Sequence, residues 1–106
     1  MIIGLEEAER RAAELQGWDI VDGMLYSSFS FENYGEAVAF TVQVAMLSDK
    51  LNHHPEIALS YNEVEVTLYT HDADALTEKD FMVAKEIDNL SSNNDNSDDE
   101  DEIKEF

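Results

Sequence analysis

The chain has no cysteine and only one proline, Pro55, in 106 residues. Without thiols there is no disulfide framework and no thiolate metal site, and nothing calls for an oxidising compartment. Only four glycines are present, none spaced as in a phosphate-cradling or dinucleotide-binding loop, which argues against nucleotide-driven chemistry. With no cysteine and no Gly-x-Ser-x-Gly elbow, covalent catalysis has no persuasive nucleophile. Positive charge is scarce: 6 Lys and Arg face 25 Asp and Glu, a formal net charge of −19 at pH 7. Such a chain repels phosphate backbones and anionic bilayers, so neither direct nucleic-acid binding nor membrane binding is expected. Long apolar runs are missing too, and Met1-Ile2-Ile3-Gly4-Leu5-Glu6-Glu7 reaches acids before a signal sequence forms. The expectation is a soluble protein of the cytoplasm, with the nucleus as the other admissible compartment.

What is present fits one domain with a modest core, helped by association between subunits. Residues 1–90 carry the apolar patterning. Residues 91–106 hold seven acids and one lysine among serines and asparagines, too little apolar surface to offset ordering entropy, and are expected to be a disordered acidic tail.

Leu5, Ala8, Ala12 and Leu15 share one face of a first helix over Leu5–Gln16, with Gly17 at its C-terminal cap. Trp18 to Ile20, the turn dipeptide Asp22-Gly23, and then Leu25, Phe29 and Phe31 describe an antiparallel pair. Asn33 caps a long second helix, with Glu36 as its partner and Val38, Phe40, Val44, Leu47 and Leu51 along its length. Ala37, Ala39, Val42, Ala45 and Met46 widen its apolar surface beyond one stripe, as in a helix buried between its own sheet and a partner. Ile57, Leu59 and Tyr61 alternate, Asn62-Glu63 reads as a turn, and Val64, Val66, Leu68 and Thr70 alternate again. Thr77 then caps a third helix with Asp80 as its box partner and Val83, Ala84, Ile87 and Leu90 on its core face. The order α-β-β-α-β-β-α predicts an α+β fold, a four-stranded antiparallel sheet with three helices packed on one face. The other face, with Ser60, Glu63, Glu65 and Thr67, is left to solvent.

All three histidines fall within nineteen positions, as His53-His54 before Pro55 and as His71. Imidazole is the side chain whose ordinary pKa, about 6.5, suits it to give and take protons near neutrality. Pro55 disfavours helical geometry at His54, so the pair projects from a helix-to-strand junction. Pairing across the Asn62-Glu63 turn brings residues near 55 close to residues near 70, and the three rings to one end of the sheet. Three readings stand at this point: ordinary surface or capping histidines; a metal site completed by Asp49, Glu56 or Asp72; and metal-free acid-base catalysis shared between imidazoles.

The segments Asp49-Lys50-Leu51-Asn52-His53-His54-Pro55-Glu56, Tyr61-Asn62-Glu63-Val64, Leu68-Tyr69-Thr70-His71-Asp72 and Leu76-Thr77-Glu78-Lys79-Asp80 resemble the signature of the pterin-4a-carbinolamine dehydratases. Gly17-Trp18, Phe29-Ser30-Phe31 and the long helix are similar to that family as well, so the resemblance spans all but the tail. It implies dehydration of a 4a-hydroxytetrahydropterin to the quinonoid dihydropterin, in tetrahydrobiopterin regeneration, with no metal or organic cofactor. Carried over by position, His53, His54, His71 and Asp80 are the catalytic residues. The same resemblance gives His53 and His71 the proton transfers and His54 the holding of the pterin. It adds Pro55, Thr70, Asp72 and Ala73 to the substrate-binding set, and Asp49 as a supporting carboxylate. It further implies a dimer or tetramer, and a second class of function, binding a homeodomain-type transcription factor through the helical surface. Ile57 stands where the family often has an aromatic residue and Ala75 where glycine is frequent, which implies weaker stacking on the pterin.

Overall fold

Alternation of apolar and polar residues builds the sheet, and helix caps fix what lies between its two hairpins. In a computed structural model, which describes residues 1–97, the elements are α1 (Leu5–Ala13), β1 (Asp19–Val21), β2 (Met24–Ser30), α2 (Tyr34–Leu51), β3 (Glu56–Ser60), β4 (Glu63–Leu68) and α3 (Glu78–Ser97). The strands are antiparallel in the order β1-β2-β4-β3, so β2 and β4 join the hairpins at the centre of the sheet. This is the expected α+β architecture.

Registers Leu25↔Leu68, Ser27↔Val66 and Phe29↔Val64 place one face of the central strands against the helices. Leu25, Val64, Val66 and Leu68 are fully buried there with Phe40 and Val44 of α2 and Val83, Ala84 and Ile87 of α3. Burying a side chain of this size stabilises the fold by roughly 1.5–3 kcal/mol each. The pairs Ser28↔Glu65 and Ser30↔Glu63 are on the opposite, polar face. Phe40 lies at the middle of the core, its ring 4.9 Å from Phe29 and 5.1 Å from Phe31. Phe40→Ala is therefore expected to cost about 3–5 kcal/mol in urea unfolding; a loss below about 1 kcal/mol would mean that the aromatic cluster does not hold the sheet to α2.

The caps follow the chemistry of their residues. Asn33 Oδ1 accepts the Glu36 N–H at 2.8 Å, and Glu36 Oε1 accepts the Glu32 N–H at 3.2 Å. Trp18 Nε1–H donates to Asp88 Oδ1 at 2.8 Å, pinning the start of β1 to α3.

The structure differs from the sequence reading in three details. α1 ends at Ala13, and its core face is Ala8 and Ala12, while Leu5 is 59% exposed. The β3–β4 turn is Tyr61-Asn62 rather than Asn62-Glu63: Tyr61 takes φ 37°, Ser60 pairs with Glu63, and the Asn62 side chain donates to Phe31 O at 3.0 Å. α3 continues to Ser97, past Leu90 where its apolar pattern ends; of the expected tail, residues 98–106 lie outside the described residues. No helix among the described residues is long and apolar enough to cross a membrane.

Candidate active site

The end of α2 aims the first histidine. Asn52 adopts the left-handed conformation, φ 57° and ψ 42°, and the reversal lets the His53 N–H donate back to Ser48 O at 3.1 Å. Asparagine tolerates this geometry better than most residues, and it closes the helix in the manner usual for glycine. The short β3–β4 turn does the rest. Glu56 pairs with Thr67, and carrying that register three residues outward sets His53 opposite Thr70.

His53 and Thr70 meet at Asp80. His53 Nε2 lies 2.6 Å from Asp80 Oδ1, with the His53 side chain 11% exposed and Asp80 fully buried. The Thr70 hydroxyl donates to Asp80 Oδ2 at 2.7 Å and the Thr77 N–H donates to the same oxygen at 3.0 Å. Thr70 has one hydroxyl proton, already given to Asp80, so in its 2.8 Å contact with Thr77 Oγ1 the donor is Thr77. Thr77 Oγ1 in turn accepts the Lys79 N–H at 3.3 Å. Three donors, the Thr70 hydroxyl, the Thr77 N–H and the His53 ring, thus meet at one carboxylate, which is at once the helix-cap partner and the acceptor for an imidazole.

The remaining residues are placed differently. His54 Nε2 is 2.9 Å from Asp49 Oδ1, but this pair is at the surface, with side chains 62% and 80% exposed. His71 follows Thr70 in the chain and is exposed, its ring 5.2 Å from that of Tyr69 in an edge arrangement. It sits in a tight loop closed by the Thr70↔Ala75 bridge and by the Asp74 N–H donating to His71 O at 3.0 Å. Thr70, Asp72, Ala73 and Thr77 line an open recess of about 500 Å³ together with Met1, Glu78 and Lys79. His53, His54, Pro55 and His71 are outside its lining, so the recess adjoins the imidazoles through Thr70 rather than containing them. Arg11 makes two 2.8 Å bonds to Glu78 at its rim and holds that carboxyl below the usual range. Among the described residues no three His, Asp or Glu gather in a group able to hold a metal ion; His53 and His54 are each paired with a single carboxylate.

Sequence reasoning missed Asn52 as the residue that turns His53 inward, and the threonine pair that braces Asp80. An asparagine directly after a helix and before His-His-Pro was the available signal for the first. Nothing local marked Thr70 as a donor to a residue ten positions on.

The sequence profile described as Pterin 4 alpha carbinolamine dehydratase matches residues 3–90. A relative from Rubrobacter xylanophilus, provisionally named a pterin-4-alpha-carbinolamine dehydratase, is 44% identical over 86 residues, covering 80% of each chain. One of the same provisional name from Sulfolobus acidocaldarius is 37% identical over 84 residues, covering 79% of this chain and 92% of its own. Among solved structures, a transcriptional coactivator/pterin dehydratase from Brucella melitensis superposes with a TM-score of 0.79 at 34% identity, over 85% of this chain and 98% of that one. A pterin dehydratase-like protein identified as a RuBisCO assembly factor in the alpha-carboxysome superposes at 0.61 with 27% identity, over 71% and 89%. With three helices on one antiparallel sheet and a match over nearly all the described chain, the protein is an enzyme of the dehydratase class, a lyase. It belongs to the pterin 4 alpha carbinolamine dehydratase family.

Proposed function

We propose that this protein dehydrates 4a-hydroxytetrahydropterin to the quinonoid dihydropterin, in tetrahydrobiopterin regeneration, by acid-base catalysis on histidines. The buried His53–Asp80 pair carries this reading. The reaction removes one water: a proton leaves N5, and the C4a–O bond breaks as its oxygen is protonated. With Asp80 as a carboxylate, His53 donates through Nε2–H and keeps Nδ1 to receive the N5 proton, and the same carboxylate stabilises the imidazolium that forms. His71, open to solvent, delivers the second proton to the departing hydroxyl; His53 then releases the N5 proton to solvent as His71 regains one from it, so no net proton is gained or lost. His54, steadied by Asp49, holds the pterin beside Pro55, Thr70, Asp72 and Ala73. Positioned imidazoles of this kind contribute about 10²–10⁴-fold each. No metal or organic cofactor enters these steps. We place the reaction in the cytoplasm, with the nucleus as the alternative.

Following 4a-hydroxytetrahydropterin loss by absorbance, with and without the protein, tests the reading. A rate well above the spontaneous one is expected, and an unchanged rate counts against it.

An interaction role is the second reading, favoured by α2. Val42 and Met46 on its outer surface are 50% and 68% exposed, although the same helix buries Phe40 and Val44 inward. We infer that this face packs against further copies of the chain as a dimer or tetramer, and that it is where a homeodomain-type transcription factor would dock. Met46→Asp is expected to halve the mass found by light scattering or reduce it further. An unchanged mass would put the subunit contact elsewhere, and mixing with such a factor without a new mass would remove the second role.

A further inference from the structure

His53 and His54 each have a carboxylate to fix their rings; among the described residues, no side chain hydrogen-bonds the ring of His71. Its one ring neighbour among the described residues is Tyr69, centroid to centroid 5.2 Å at an interplanar angle of 70°. Tyr69 is itself held at both ends. Its ring packs against the hydrophobic core, and its hydroxyl donates to Asp74 Oδ1 at 3.0 Å. That hydrogen bond first, then burial and the negative charges of Asp74 and Asp80, raise the phenol above its ordinary pKa, so it remains a donor at every pH where histidine chemistry runs.

Asp74 has φ 55°, in the left-handed region that glycine enters most readily and aspartate more readily than most residues. What it supplies beyond glycine is the carboxylate for Tyr69, while its N–H donates to His71 O at 3.0 Å. One residue therefore grips the backbone of His71 and the phenol of the ring that faces it.

We propose that Tyr69 is a positioning residue that sets the orientation of the His71 imidazole, with Asp74 as its anchor. The proposal rests on the proton-delivery role given to His71 above. Tyr69 directly follows β4 and His71 opens the turn that the Thr70↔Ala75 bridge closes, so the two rings meet where the chain leaves the sheet.

The test uses the full chain with ¹³C-labelled histidine rings, together with the dehydration assay. In Tyr69→Leu the ring-current contribution to the His71 ring protons disappears, so their signals move while those of His53 and His54 stay. Turnover is expected to fall about tenfold with KM within about twofold, because the loss is of orientation rather than of a binding contact. Tyr69→Phe keeps the ring but loses its anchor and should fall about threefold; Asp74→Gly should match it, since both delete the same hydrogen bond, and the double variant should be no worse than either. Unmoved His71 signals in Tyr69→Leu, or a wild-type kcat despite moved signals, would overturn the proposal. Should Tyr69→Leu not fold, wild-type kcat in both Tyr69→Phe and Asp74→Gly, with His71 signals in place, does so instead. If the unmodified protein shows no dehydration, the reaction assigned above is what fails, and the His71 signals alone then decide the positioning contact.

Discussion

Asp80→Asn is expected to lower kcat by at least about 10²-fold while leaving a folded protein. The carboxylate accepts from three donors, and asparagine offers one oxygen and one NH₂ in the same space. If the oxygen stays with the Thr70 hydroxyl and the Thr77 N–H, the NH₂ faces His53 Nε2. That nitrogen must then become an acceptor, which moves the ring proton to Nδ1, the atom assigned to receive the substrate proton. In serine proteases, where asparagine in place of the triad aspartate reverses the histidine tautomer in the same way, the cost in kcat is about 10⁴. A smaller loss is expected here because a second histidine shares the chemistry. Stability falls by about 1–3 kcal/mol for the imperfect bonds, and by more for Asp80→Ala, which leaves three donors without their acceptor. A wild-type kcat in Asp80→Asn would show that the carboxylate acts only as the cap of α3.

Removing the two proposed proton carriers comes second. His53→Ala and His71→Ala are each expected to lose roughly 10²-fold or more in kcat, and the double variant to approach the spontaneous rate. The losses should not simply add, because the two rings serve one event: taking the N5 proton and releasing the hydroxide. Circular dichroism and a urea midpoint separate chemistry from folding. His71 is exposed and its removal should leave the midpoint nearly unchanged, whereas His53 removal frees a bond to a buried carboxylate and should lower it. Turnover of the double variant at the wild-type rate would eliminate acid-base work by these histidines.

The architecture is legible in the sequence because its signals are periodic and local. Val64, Val66 and Leu68 alternate, and the Asn33–Glu36 and Thr77–Asp80 pairs mark helix starts with their own hydrogen bonds. The sequence pattern puts the turn between β3 and β4 one residue late, since Tyr61 is a poor candidate for positive φ by type and is held there by the tertiary bonds of Asn62 with Phe31. The hairpin still leads to the neighbourhood of His53 and Thr70. What patterning does not disclose is the difference between the two imidazole–carboxylate pairs. Asp80 is legible as a cap and Asp49 as an acid near a histidine, but which of them meets its ring away from water depends on how α3 lies across the end of the sheet. The Tyr69–Asp74 link is equally silent, because an aspartate with a left-handed backbone looks like any other loop acid.

The two pairs differ in what surrounds them, and dissolved salt reads the difference. Counterions reach the His54–Asp49 pair freely, and the screening length shrinks from about 8 Å at physiological ionic strength to about 3 Å in 1 M salt. The His53–Asp80 pair is closed to them by the protein itself. Rising ionic strength should therefore loosen the hold on the pterin proposed for His54 before it disturbs the proton transfer proposed for His53, appearing as a higher KM at nearly constant kcat. In a chain of net charge −19, salt would act on this protein as a selective reagent, releasing one histidine and sparing the other.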